Sequence, residues 1–311
     1  MTKPSEKDVI GIFSSVLGIA DLDDVAAIPL GKKMLVFKTD MLVGATDVPE
    51  QMTPRQAARK SVVACASDFA AKGARPMAAM ISLGLPRGIT RGYVEELARG
   101  FKAASHEFGV KIVGGDTNEA RDLVIDCSMI GLADKIPPRS GAKPGDVVVV
   151  SGLFGYPAAG LAILMNGARA TGQFRKHAVD SVLEPRPRQD FAVLARFFSS
   201  SIDSSDGLAA SVYEIAAQSR VDIHFDYEKV KAAGVDEFAR ANNLDPRSVV
   251  CFGGEEYEIV ATIPKKSLPK AKALAKKAGL ALHEVGTVKK GSGNVYTNKS
   301  LLENRGYQHL G

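Results

Sequence analysis

Tryptophan is absent from the 311-residue chain, cysteine occurs only three times, and aromatic residues make up only 6% of it. The cysteines, Cys65, Cys127 and Cys251, are far apart and show no CxxC spacing. Both a disulfide framework and a zinc knuckle are therefore disfavoured, and buried thiols in a reducing compartment are predicted. The first ten residues also lack the long apolar segment of a signal peptide. We therefore expect a cytoplasmic protein.

The chain also lacks a strong charge imbalance, since 40 Lys and Arg residues stand against 35 Asp and Glu residues, a net charge of +5. Such an excess suits an anionic small ligand as readily as nucleic acid. A lysine-dense segment, 265–277, is a candidate for nucleic-acid contact, but its apolar positions favour a solvated amphipathic helix. We expect no nucleic-acid partner.

A long unbroken apolar run is missing too. Residues 147–168 carry no charge and are numerous enough to cross ~30 Å of hydrocarbon. However, Ser151-Gly152 and Gly155-Tyr156-Pro157 interrupt them. The pattern predicts a buried strand at 147–150, a turn and then a helix, and no membrane contact.

The common phosphate-binding and hydrolase motifs are absent. There is no GxxxxGK[ST], no GxGxxG after a first strand, no HRD or DFG set and no GxSxG. P-loop, Rossmann, protein-kinase and serine-hydrolase interpretations therefore lose their main support. Gly152 and Gly155, with Gly160, lie between the predicted strand and helix and form a weak candidate for phosphate binding at a helix start.

Periodicity and capping signals divide the chain into two halves. A breaker-rich segment, 136–145, places the domain boundary so that 1–138 and 139–311 form separate domains. In the second half strands and helices alternate, which indicates an α/β layer architecture. The predicted helices of the first half are 5–17, 53–73 and 90–108, and its predicted strands are 35–37, 80–85, 111–113 and 123–132.

Carboxylates cluster where predicted elements end. Any single one is a plausible turn or cap residue, but the set is large: Asp23, Asp24, Asp40, Asp47, Asp68, Asp116, Asp203, Asp206, Glu255 and Glu256. Oxygen donors without accompanying His or Cys favour Mg²⁺, which bridges substrate phosphates. Zinc and transition metals are disfavoured.

Three of these acidic motifs have a distinctive form. Asp203 and Asp206 are three residues apart in DSSDGL, before an amphipathic helix that Asp206 could cap. GGDT at 114–117 and GGEE at 253–256 each place two glycines between a predicted apolar strand and an acid. Glycines there would let the backbone approach a ligand closely.

Taken in order, the motifs resemble those of the thiamine-monophosphate kinase family. They are DVAA (24–27), KTDMLV (38–43), ASDFAAKGARP (66–76), GGDT (114–117), RSGAKPGD (139–146), SG (151–152) with AAGL (158–161), DSSDGL (203–208) and GGEEYE (253–258). The resemblance implies an α/β (α+β) two-domain fold like that of aminoimidazole ribonucleotide synthetase: an N-terminal sheet with helices on one face and a C-terminal α/β domain. It further implies a homodimer paired through the N-terminal domains, and a lysine-free, aspartate-rich site.

The resemblance also assigns roles to individual residues. It makes Asp116 and Asp206 catalytic and Asp47 and Glu255 contacts of thiamine monophosphate. It implies Mg²⁺ ligands at Asp24, Thr39, Asp40, Asp68, Asp116, Asp203 and Asp206, and ATP contacts at Gly115, Asp116, Arg139 and Ser205. The chain departs from the family in having Leu22 before Asp23-Asp24, GGEE for Gly-Gly-Glu-Asp, and Asn304 where an aromatic residue often contacts the thiamine rings.

The expected activity is ATP- and Mg²⁺-dependent phosphorylation of thiamine monophosphate by direct in-line transfer. The purine-synthesis cyclo-ligase of the same superfamily is the main alternative. Selenophosphate synthetase usually has a reactive Cys or selenocysteine in an N-terminal glycine-rich loop, whereas no Cys precedes Cys65 in this chain. The hydrogenase maturation factor ends in a functional Cys, whereas this chain ends in His309-Leu310-Gly311. A basic nucleic-acid-binding protein is a more distant alternative.

Overall fold

Two β-sheets form on either side of the breaker-rich segment. A computed structural model describes residues 3–19 and 22–309. The first sheet has the order β1-β2-β5-β3-β4 and the second β12-β11-β8-β10-β6-β9-β7. The mixed two-domain architecture confirms the expected fold class. The predicted boundary lies between the last strand of the first sheet, which ends at Ala133, and the first strand of the second, which begins at Val147.

The N-terminal sheet consists of β1 (Ala26–Leu30), β2 (Lys33–Val43), β3 (Arg75–Pro86), β4 (Lys111–Ala120) and β5 (Val124–Ala133). Its pairings are antiparallel except for the parallel pair β3 and β4. The helices of this half are α1 (Glu6–Leu17), α2 (Gly44–Asp47), α3 (Pro54–Ala71) and α4 (Arg91–Phe108). The GGD motif, expected after a short strand, instead lies inside β4.

Helix α3 packs against both sheets. On one side it contacts β2, β3 and β5, and on the other it contacts β7, β9 and the 3-10 helix of the C-terminal half. Most of its residues are therefore buried, including polar ones such as Lys60, Asp68 and Lys72. A helix buried on all sides is a central element of a fold, and α3 carries these polar groups between the domains.

The C-terminal sheet consists of β6 (Val147–Val150), β7 (Ser200–Ser204), β8 (Val221–Phe225), β9 (Glu258–Ile263), β10 (His283–Lys290), β11 (Val295–Thr297) and β12 (Ser300–Leu301). Its helices are α5 (Tyr156–Asn166), α6 (Gly172–Leu183), α7 (Leu208–Ser219), α8 (Val235–Ala241), α9 (Pro246–Cys251) and α10 (Leu268–Lys277), with a 3-10 helix at Gln189–Phe197. Val148 and Val150 join one apolar core and Val149 the other, so the sheet is covered on both faces.

One predicted strand is wrong. Residues 249–252 were expected to be an apolar strand before GGEE, but they fall at the end of helix α9. Asp245 caps this helix through the backbone N–H groups of Arg247 and Ser248, and Pro246 occupies its first turn. An Asp-Pro start outweighs the strand propensity of four apolar residues.

The segment between the domains runs along the open edge of β7. The backbone N–H of Ser201 donates to the carbonyl of Pro138 (3.3 Å), and the Ser200 hydroxyl donates to the carbonyl of Arg139 (2.7 Å). A Cβ on Gly141 would lie 1.8 Å from the carbonyl oxygen of Ser199, so only glycine allows this close approach. The linker is therefore fixed against the C-terminal sheet.

No helix in the described ranges combines the length and the apolar character that a membrane span requires. The uncharged stretch forms β6 and α5, as predicted. All three cysteines are free and buried.

Candidate active site

A cavity of about 880 Å³ lies where the two domains meet. Helix α3 presents Lys60, Ala64 and Asp68 to it at intervals of four residues, which places them on one face of the helix. Helix α1, strand β2, the linker, the loop before α7 and the C-terminal segment also line it. The cavity therefore draws on both domains.

Three buried aspartates converge beside this cavity. Asp24, Asp68 and Asp203 each offer a carboxylate oxygen, and these oxygens lie within 4.8 Å of one another. Asp24 lies two residues before β1, Asp68 is on α3 and Asp203 is on β7. All three were predicted metal ligands, and the structure brings them together from distant parts of the sequence.

The charges around these aspartates differ, and so do their pKa values. Burial raises the pKa of Asp68 well above its ordinary value, and the neighbouring Asp203 raises it further. Burial and the negative charge of Asp24 also raise the pKa of Asp203. Burial opposes ionisation of Asp24 as well, but Lys72 and Arg139 outweigh it and hold the pKa of Asp24 below the ordinary value.

Lysines enter this site, contrary to the lysine-free site that was expected. The ammonium of Lys38 lies 2.7 Å from Asp68 Oδ2 and 3.5 Å from Asp40 Oδ2. Lys72 is fully buried, with its Nζ 2.6 Å from Asp23 Oδ1 and 3.0 Å from Asp24 Oδ2.

Two patterns in the sequence could have revealed these lysines. Lys38 and Asp40 alternate on one strand and so point to the same face. Lys72 continues the four-residue interval of Lys60 and Asp68 along α3.

Arg139, Ser205 and Asp206 also lie at the cavity. The Nε of Arg139 donates to Asp24 Oδ1 at 2.8 Å, and its pKa is raised because Asp24 outweighs the effect of burial. Burial raises the pKa of Asp206 to about 6, with a further contribution from Asp203. These placements agree with a role at the phosphate end of a ligand.

Thr39 and Asp116 do not reach the aspartate cluster within one chain. Paired residues of a sheet point to the same face, and Asp116 pairs with Ser82, which pairs with Asp126. Asp126 in turn pairs with Met41, and its Oδ1 accepts a hydrogen bond from Thr39 Oγ1 at 2.5 Å. These side chains all point to the face opposite α3.

Asp40, by contrast, points toward α3, as its contact with Lys38 shows. Strands β2 and β4 are also about 14 Å apart, since three steps of ~4.8 Å separate them. Gly115 lies on β4, where a Cβ would be 1.7 Å from the carbonyl oxygen of Ile81. Strand packing alone therefore requires glycine at 115.

The predicted substrate residues Asp47 and Glu255 meet around Lys60. The Lys60 ammonium contacts Glu255 Oε1 and donates to the backbone carbonyl of Asp47 at 2.8 Å. Asp47 Oδ2 accepts the N–H of Val43 at 2.7 Å. Glu255 Oε2 is buried without a hydrogen-bond partner among the described residues, so this carboxylate retains acceptor capacity at the cavity.

Aromatic side chains line this end of the cavity. Tyr307, which is 45% exposed, and the buried Tyr257 both border it, and so does Asn304. The backbone N–H of Tyr307 donates to the carbonyl of Asp206 at 3.0 Å, which fixes the C-terminal segment there. An aromatic side chain thus borders the cavity three positions after Asn304.

The glycine turn at 152–155 is not a phosphate site in this structure. A Cβ on Gly152 would collide with the Glu258 carboxylate, and the N–H of Gly155 donates to Glu256 Oε1 at 2.7 Å. Two carboxylates therefore lie against this turn, and Glu256 already accepts an N–H at the start of α5. Burial raises the pKa of Glu256 well above its ordinary value, and Glu256 serves as a cap.

Comparisons with known proteins agree with this geometry. Residues 22–133 match the family model of the AIR synthase related protein N-terminal domain, and 143–298 match that of the C-terminal domain. The chain is 41% identical to the thiamine-monophosphate kinase of Nitrosopumilus maritimus, with 100% of both chains covered. It is 38% identical to that of Pyrococcus horikoshii, covering 86% of this chain and 85% of the relative.

A solved structure of AaThiL complexed with AMPPCP and TMP superposes with a TM-score of 0.90 at 27% identity, covering 100% of this chain and 99% of that one. Sequence and fold similarity thus extend over both domains. The chain belongs to the thiamine-monophosphate kinase family, within the AIR synthase related proteins.

Proposed function

We propose that the protein transfers the terminal phosphoryl group of ATP to thiamine monophosphate, forming thiamine diphosphate and ADP. The observation that carries this proposal is the single cavity in which the aspartate cluster adjoins the Asp47, Lys60 and Glu255 group. A phosphate oxygen of thiamine monophosphate bonds to the γ-phosphorus, and the bond to the bridging oxygen of ADP breaks. The acceptor is already an anion, so no general base is required.

Mg²⁺ fits the donor set of the cluster. All the donors are carboxylate oxygens, which suit a hard divalent cation. Asp24 Oδ2 is buried and lies 3.0 Å from the Lys72 ammonium, whereas Asp203 forms no ion pair in the described ranges. Asp24, Asp68 and Asp203 would hold the ion, with Asp40 and Asp206 nearby. Bound Mg²⁺ would neutralise phosphate charge and help to align the transferred group.

Arg139 and Ser205 supply contacts for ATP in this proposal. The Arg139 guanidinium is held at the cavity by Asp24 and Asp23. A planar guanidinium can bind phosphate oxygens in a bidentate manner. The Ser205 hydroxyl is exposed beside Asp206, and its backbone carbonyl accepts the N–H of Glu255 at 2.6 Å. The ATP end and the acceptor end are thus linked through one hydrogen bond.

Both charges of thiamine monophosphate have partners at the acceptor end. Lys60 can attract the phosphate, and Asp47 and Glu255 can attract the cationic thiazolium ring. One such attraction at ~4 Å is worth roughly 1–4 kcal/mol between the water-like and near-surface limits, before desolvation is counted. Tyr307 offers an aromatic face for the rings.

We further propose a homodimer formed through the N-terminal sheets. The face of this sheet opposite α3 and α4 exposes Phe37, Met41, Met80 and Ile130, with exposed fractions of 37, 60, 53 and 38%. A contiguous apolar sheet face of this kind marks an interaction surface. Asp116 points to the same face, so it would serve a metal site in the neighbouring copy.

Mixing two inactive variants tests this arrangement. Asp116→Asn and Asp203→Asn should each be inactive alone. After joint refolding, mixed dimers would hold one intact site each, which gives about a quarter of the parent activity for random pairing of a C2 dimer. If the mixture stays inactive although mixed dimers are present on a native gel, Asp116 does not contribute to the site of the neighbouring copy.

The reaction itself is tested by coupled ADP release. Thiamine monophosphate should be phosphorylated, whereas thiamine and aminoimidazole precursors should not. Product identity is checked by chromatography. No ADP release with thiamine monophosphate in Mg²⁺ would overturn the function, and release with the aminoimidazole precursor would favour the cyclo-ligase.

A cytoplasmic location is proposed as well, because Cys65, Cys127 and Cys251 are free and buried. Free thiols persist in reducing compartments. ATP is also the proposed phosphate donor, and the cytoplasm supplies it.

A further inference from the structure

Lys38 bridges two of the proposed magnesium ligands. Its ammonium contacts Asp68 Oδ2 at 2.7 Å and Asp40 Oδ2 at 3.5 Å, and only 22% of its side chain is exposed. Lys38 therefore places a positive charge between these two carboxylates.

The other cations near the cluster have different partners. Lys72 and Arg139 neutralise Asp23 and Asp24 on the linker side. Within the described residues, Lys38 is the cation that pairs with Asp68. Within the cluster, Asp24 is thus paired with Lys72 and Arg139, and Asp68 is paired with Lys38. Asp203 has no ion-pair partner among the described residues.

We propose that the Lys38 ammonium stays in the loaded site and takes the position of one divalent cation between Asp40 and Asp68. This inference rests on the proposed Mg²⁺ dependence and concerns how many ions the chain requires. Lysine is a compact point charge on a long stem, and its stem is anchored on the sheet face toward α3. The ammonium would supply permanently a charge that a diffusible ion supplies only when bound.

Two consequences follow for the metal dependence. The parent chain would bind one divalent ion fewer than the same site without Lys38. Removal of Lys38 would then open a position lined by the Asp40 and Asp68 carboxylates, and turnover would depend on a higher Mg²⁺ concentration.

Counting bound Mn²⁺ tests the inference without using turnover. Mn²⁺ prefers the same oxygen ligands as Mg²⁺ and is measured by equilibrium dialysis with electron paramagnetic resonance. The variants are Lys38→Ala, which leaves space for a hydrated ion, and Lys38→Gln, whose amide oxygen can itself be a ligand. The matched control is Lys33→Ala, because Lys33 is on the same strand and pairs at the surface with Asp134 at 3.5 Å.

Both Lys38 variants should bind one more Mn²⁺ per chain than the parent and the control. Their melting temperatures should also rise more with Mn²⁺, because an additional ion that binds only the folded chain stabilises it. Equal Mn²⁺ counts in the parent and both variants would overturn the inference. So would failure of both variants to fold in excess Mn²⁺, since a divalent ion could not then replace the ammonium. Because the count does not depend on the acceptor, inactivity on thiamine monophosphate would refute the proposed reaction alone.

Discussion

Replacement of Lys72 by methionine should destabilise the protein strongly. The Lys72 side chain has no exposed surface and contacts Asp23 and Asp24. It also donates to the carbonyl of Pro137 at 3.2 Å and to that of Ser201 at 2.5 Å. Methionine replaces the aliphatic stem of the side chain and lacks the ammonium group, so the buried Asp24 carboxylate loses one of its two cations.

The expected loss is about 3–5 kcal/mol of unfolding free energy, the usual effect of removing one partner of a buried ion pair. The control is Lys33→Met, which breaks a pair whose side chains are 54% and 89% exposed. An exposed pair of this kind contributes about 0–1 kcal/mol. Urea unfolding followed by circular dichroism gives both values, with and without Mg²⁺.

The pH dependence adds a second test of the same contact. The pKa of Asp24 is held below 3.8 in the folded chain because Lys72 and Arg139 outweigh burial. The stability from this pairing is therefore complete above pH 3.8 and is lost as the pH falls through the folded pKa. The difference between parent and Lys72→Met should shrink over that acidic range. Equal urea midpoints for Lys72→Met and Lys33→Met at neutral pH would refute the reasoning.

Five further substitutions probe the site by steady-state kinetics. Asp206→Asn should lower turnover by about two orders of magnitude or more with folding preserved, because a charged group that stabilises the transition state is lost; near-normal turnover in saturating Mg²⁺ would exclude this role. Arg139→Lys should raise the KM for ATP, since the charge remains but the planar fork is lost, and an unchanged KM would leave Arg139 as a linker residue. Asp47→Asn should raise the KM for thiamine monophosphate and spare that for ATP, whereas equal increases would assign Asp47 to the metal site. Tyr307→Leu should likewise raise the KM for thiamine monophosphate, while Asn304→Trp should be tolerated or tighten binding; no effect at Tyr307 would show that the rings bind elsewhere.

Local signals in the sequence predicted the helices of the N-terminal half well. Thr53 and Gln56 form a capping box with Pro54 in the first turn, and Ser5 and Asp8 form another. Such signals act within four residues and can be recognised in the sequence without knowledge of the fold. The length of β4 could not be predicted in this way, because this strand pairs with β3, which is distant in the sequence.

The aspartates of the site were predictable from residue type, and its lysines were not. Aspartates beside Gly, Ser and Thr stand out in a sequence, whereas a lysine is usually a surface residue. The spacing of Lys38, Lys60 and Lys72 relative to Asp40 and Asp68 is the signal that distinguishes them from surface lysines, and it points to the site only when β2 and α3 are already assigned. The alternation of side chains along β2 also separates Thr39 from Asp40, a distinction that a list of motif residues does not make.

The C-terminal half depends on the linker to cover one edge of its sheet. Along the outer edge of β7, the carbonyl of Pro138 accepts the backbone N–H of Ser201 and the carbonyl of Arg139 accepts the Ser200 hydroxyl, so the linker covers this edge. An uncovered strand edge is a template for pairing with another chain. A fragment beginning at β6, if expressed on its own, would lack this cover and should self-associate. Fragments for structural work should therefore begin upstream of Pro137, so that the strand carrying Asp203 keeps its cover.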